Sequence, residues 1–72
     1  MPCVSPDGKP TESGMKILGA IKAGSTSADE IAAASGMPLY RVRSGMRDLA
    51  EAGFVTGSEG SYALTEEGAA VA

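Results

Sequence analysis

"SADEIAAASGMPLYRVRSGMRDLAEAGFV", residues 27–55, is the stretch that decides how this chain is read. Ser27 with Glu30 three residues later is a capping box, in which the hydroxyl accepts from an amide of the first turn and the carboxylate reaches back. Ala28, Ile31 and Ala32 follow on one face, so a short helix is predicted to end near Ser35. Its small residues let a neighbouring helix approach closely. Gly36 breaks it, and Pro38 suits the opening of the next helix, where a missing N–H costs nothing. Val42, Met46 and Leu49 recur at i, i+4 and i+7, which predicts a helix over 38–52 with Gly53 as its stop. The pattern is two amphipathic helices joined by a tight glycine turn.

Towards the N-terminus, Thr11 is placed to cap a first helix running to about Ala23. Its apolar residues Ile17, Leu18 and Ile21 have helical spacing, with Gly14 on the same face and Met15 beside it. Gly14 and Gly19 each weaken such a helix by ~1 kcal/mol relative to Ala, so Gly14 implies close packing against a neighbour. Gly24 closes the helix, and Ser25-Thr26 reads as a short link able to form a one- or two-residue β-bridge. Residues 1–10 hold three prolines and an Asp-Gly turn signal, which reads as a flexible N-terminal segment with Cys3 as an inert tail residue.

Beyond Gly53, Phe54–Thr56 and Ser61–Leu64 are strand-like runs separated by the turn-rich Gly57-Ser58-Glu59-Gly60. Phe54 and Leu64 are the expected inward residues, with Tyr62 on the Leu64 side. Thr65 can cap a last helical turn, where Glu66 and Glu67 suit the positive end of the helix dipole. The fold class is therefore mostly α with a small β-hairpin: a three-helix winged helix-turn-helix occupying 11–72.

Composition narrows the chemistry. Among 72 residues there is no histidine and a single cysteine, which removes the commonest general base and the usual zinc ligand sets. No phosphate-binding glycine loop is present. An enzyme is not expected, nor a metal or cofactor. No apolar run has membrane-spanning length, no secretory leader pattern opens the chain, and one cysteine cannot form an internal disulfide. A reducing cytoplasm is the expected compartment.

Charge is polarised rather than merely low. The net charge is −3, yet residues 37–47 carry three arginines and no acid. The remainder sets Lys9, Lys16 and Lys22 against nine acids. All the arginine charge thus lies on one predicted helix, a distribution suited to an anionic partner. The competing reading is a solvated face, with Arg47 paired to Glu51 at i+4.

The 27–55 stretch resembles the helix-turn-helix core of the MarR-like and ArsR-like transcriptional regulators. The resemblance rests on Ile31, Ala32, Gly36, Val42, Met46, Leu49, Gly53, Phe54 and Val55. "YALTEEG", residues 62–68, is similar to the Tyr-x-Leu-Thr-x-x-Gly that ends the wing in many of these proteins. The match spans about residues 13–68. It implies that Tyr40, Arg41, Arg43, Ser44 and Arg47 are DNA-binding, entering the major groove to contact bases and phosphates of double-stranded DNA. Arginine suits this role because its fork grips guanine or phosphate in bidentate fashion, while Tyr40 and Ser44 can donate to phosphate.

Two features depart from the family pattern. The wing tip carries Glu59 where Lys or Arg is common, and Glu59 repels phosphate. MarR-like proteins dimerise through long flanking helices; none is read within residues 1–72, and a homodimer is expected to use the first helix and the C-terminal turn. The expected function is a small DNA-binding winged-helix protein, a transcriptional regulator docking helix 38–52 in the major groove. The alternative is a winged helix serving as a protein–protein interaction module without DNA binding.

Overall fold

A computed structural model of the chain describes residues 3–58 and 60–72. The order is α1 (Glu12–Lys22), α2 (Ala28–Ser35), α3 (Leu39–Glu51), β1 (Val55–Thr56), β2 (Ala63–Leu64) and α4 (Glu66–Val71). The three longer helices pack against one another, and the two strands form an antiparallel hairpin pairing Val55 with Leu64 and Thr56 with Ala63. This is the winged helix. No helix among the described residues is long and apolar enough to cross a membrane.

The helix starts form as their sequences dictate. Thr11 accepts from the Gly14 amide, and Ser27 accepts from the Glu30 amide. Thr65 accepts from the Gly68 amide. The Glu30 carboxylate accepts from the amides of Thr26 and Ser27 and from the Thr26 hydroxyl, at 2.8, 3.3 and 3.1 Å. These bonds, the Thr26 amide foremost, hold its carboxyl below the usual carboxylate range. Gly36 ends α2 with φ of 73°, the left-handed region that costs a side-chain-bearing residue 1–2 kcal/mol, roughly. Pro38 stands one position outside α3, and its carbonyl accepts the Val42 amide at 3.1 Å.

Ile17, Leu18, Ala28, Ile31, Val42 and Leu49 have no exposed surface, and Met46 joins them. Each large side chain so buried contributes ~1.5–3 kcal/mol before the entropy of ordering it is counted. Val55 is buried as fully as Phe54, so the hairpin sends two consecutive residues inward where Phe54 alone was expected. Phe54 precedes β1 and lies outside the strand alternation. Leu64 and Tyr62 are half-buried on the core edge. Among the described residues the Ser25-Thr26 link forms no β-bridge; a hydrogen bond from the Tyr62 amide to the Thr26 carbonyl, 3.0 Å, ties it to the wing.

The N-terminal segment corrects the reading of Cys3. Its side chain is buried in the core. Val4 and Pro10 form an antiparallel bridge, and the Thr11 amide donates to the Cys3 carbonyl at 2.9 Å. Between them the Ser5 hydroxyl and the Lys9 amide donate to the Asp7 carboxylate, and these bonds, that of Ser5 foremost, hold its carboxyl low. Residues 3–10 thus form a strap across α1 and α3. The neighbour that Gly14 implies is this strap: a Cβ there would collide with the Cys3 carbonyl oxygen. Gly45 is the matching notch on α3, where a Cβ would stand 2.5 Å from the Cys3 Sγ and 2.6 Å from the Ile17 Cδ1. Prolines and a turn in a sequence mark little to bury; here the two glycine notches supply the depth that makes burial possible.

Candidate nucleic-acid interface

α3 is positioned by its apolar side. Val42, Gly45, Met46 and Leu49 are buried, which fixes the rotation of the helix about its axis. That rotation leaves Tyr40 74% exposed, and Arg43, Ser44 and Arg47 exposed as well. Arg41 is half-buried. It lies on the flank turned towards the strap, where Arg41 and Asp48 both act on the Cys3 thiol. Burial raises the thiol pKa most, Asp48 adds to the rise, and Arg41 opposes it.

The three arginines are therefore not one patch. Val42 and Met46 point inward between them, so Arg43 and Arg47 fall on the wing side of α3 and Arg41 on the strap side. An open groove of about 370 Å³ runs between α3 and the wing. Arg43, Arg47, Met46 and Ala50 form its helical wall; Gly57, Ser58 and Tyr62 face them from the wing. Among the described residues, no ion pair engages any of the three arginines, and the pairing of Arg47 with Glu51 is not formed. Glu59, the acid expected to keep the wing away from phosphate, lies outside the described residues.

Tyr40, Ser44, Arg47 and Arg43 form a continuous outward surface, and Arg41 stands apart from it. Ser58 and Tyr62 were not singled out as site residues. No local pattern links 58–62 to 43–47; only the folding back of the hairpin brings them together.

No family model matches the chain, and no curated protein matches it. The chain is similar to part of a solved structure, an O-methyltransferase (NcsB1) from neocarzinostatin biosynthesis in complex with S-adenosyl-L-homocysteine. The likeness has a TM-score of 0.67 and 33% identity over 78% of this chain. It covers 19% of the enzyme chain, so this protein corresponds to a small portion of that enzyme. A winged helix of related sequence is thus present within a protein whose described activity is methyl transfer.

Proposed function

We propose that this protein is a non-enzymatic, cytoplasmic winged-helix protein that binds double-stranded DNA and regulates transcription, with α3 as the helix that enters the major groove. The observation that carries this reading is the outward face of α3. Tyr40, Arg43, Ser44 and Arg47 stand exposed on a helix whose opposite side is locked into the core, and among the described residues the arginines have no acidic partner. An exposed arginine face without acidic partners among the described residues, on an otherwise acidic chain, is suited to phosphate oxygens and guanine edges. The MarR-like or ArsR-like affiliation belongs to the same proposal.

The test is a titration of labelled protein with duplex DNA at two salt concentrations. Amide shifts should centre on residues 38–47. Each phosphate neutralised adds roughly −0.9 to the slope of log affinity against log salt, doubled for a dimer on two half-sites. Shifts that avoid 38–47, or no shifts at low salt, reject the reading.

The second reading, a protein–protein interaction module, is favoured by the methyltransferase likeness, because there a related stretch is part of a larger enzyme chain. A homodimer would draw on α1 and α4, where Met15 and Val71 are each 39% exposed. Sedimentation across a concentration series separates monomer from dimer, and the DNA titration separates the two readings.

A further inference from the structure

We propose that the groove between α3 and the wing seats a single backbone phosphate of bound duplex DNA, gripped jointly by Arg43 and Arg47; this rests on the DNA reading above. Arg43 and Arg47 are i, i+4 neighbours on one helix face, so their guanidiniums repel each other in the free protein. An anion between them turns that repulsion into two charge-assisted contacts, and guanidinium forks match phosphate oxygens in bidentate fashion. Met46 and Ala50 line the same helical wall of the groove as the two arginines. Across the groove Ser58 brings a hydroxyl donor and Tyr62 an aromatic wall, so the site is bounded on two sides. Arg41 takes no part. It is not among the residues that line the groove and lies on the opposite flank of α3 from Arg43.

Two arginines acting on one phosphate leave a signature that separate basic contacts do not. Two arginines on separate phosphates would lose affinity independently; two on one phosphate are coupled. Duplexes carrying one neutral methylphosphonate at each backbone position in turn are titrated into wild type, R43A, R47A and R43A/R47A, each checked by thermal melt for an intact fold. One position should weaken wild-type binding by about tenfold, the scale of a lost charge-assisted contact. The same position should have little effect on the double variant, and R41A should keep the wild-type response. Separate sensitive positions for Arg43 and Arg47, or no position coupled to either, overturn the shared-phosphate site and leave DNA binding standing. If wild type binds no duplex at low salt, the DNA reading fails and the phosphate proposal fails with it. Pyrophosphate then reports on the groove alone. Shifts at Gly57, Ser58 and Tyr62 that vanish in R43A/R47A keep it as an anion site, and their absence overturns that as well.

Discussion

The strap over residues 3–10 and the wing turn between β1 and β2 look alike as sequences and behave oppositely in the fold. Both are short and rich in glycine, serine or proline. The strap inserts Cys3 between α1 and α3, and its carbonyl occupies the space over Gly14. The described wing-turn residues Gly57, Ser58 and Gly60 are exposed, and the turn is held mainly through its strands and the Tyr62–Thr26 hydrogen bond. What separates the two is the surface each meets. α1 and α3 each offer a notch without a side chain to the strap; the wing faces a groove lined by charge. Loops of similar composition are thus sorted into core and surface by their neighbours.

The largest effect should come from removing the strap. Deleting residues 1–10 uncovers Ile17 and the two notches, a change comparable with losing a core side chain, and should cost ~2–5 kcal/mol of unfolding free energy. Urea denaturation measures it, and a truncated protein as stable as the full chain would show that the strap adds nothing to the core. The same packing should shield Cys3 from thiol reagents until the strap opens, because its side chain is buried and that burial pushes the thiol pKa up, lowering the reactive thiolate fraction. Alkylation as fast as that of a free thiol peptide would show that the strap does not close in solution.

Two glycines on α1 sharpen the point at smaller scale. Gly14→Ala forces a Cβ against the Cys3 backbone and should destabilise by ~1–3 kcal/mol. Gly19 has nothing within 4 Å of where its Cβ would stand, so Gly19→Ala should stabilise by up to ~1 kcal/mol through helix propensity. Opposite signs from one substitution on one helix would be hard to explain by propensity alone. Thermal melts of the pair decide it.

A pH experiment probes the foot of the wing instead. The Glu30 carboxylate accepts from Thr26, whose carbonyl in turn accepts from Tyr62, so this acid supports the link on which the wing rests. Its pKa is lower folded than unfolded. The stability it contributes is therefore present above the ordinary carboxylate range and is lost as pH falls through the folded value. Glu30→Gln should flatten that part of the acid limb. As pH falls, amide protection corrected for intrinsic exchange should drop at Thr26, Ser27 and Tyr62; unchanged protection there would place the weak point elsewhere. The smallest effect belongs to the wing tip, where Ser58→Ala should change stability by less than ~0.5 kcal/mol.

The sequence by itself determined the helices and their order. Capping residues, apolar spacing and glycine stops act within a few residues of one another, so Thr11, Ser27, Gly36, Val42, Met46 and Leu49 could be placed without knowing what they touch. It also determined that α3 would carry all three arginines. Tertiary structure decided the rest. Whether Cys3 was tail or core depended on Gly14 and Gly45, 11 and 42 positions away, and no local pattern couples them. The division of the arginines, Arg43 and Arg47 towards the wing and Arg41 towards the strap, follows from how the buried side of α3 sets its rotation against both neighbours at once. Helix formation is a short-range property of the chain, whereas depth and facing come from contacts between residues that only folding brings together.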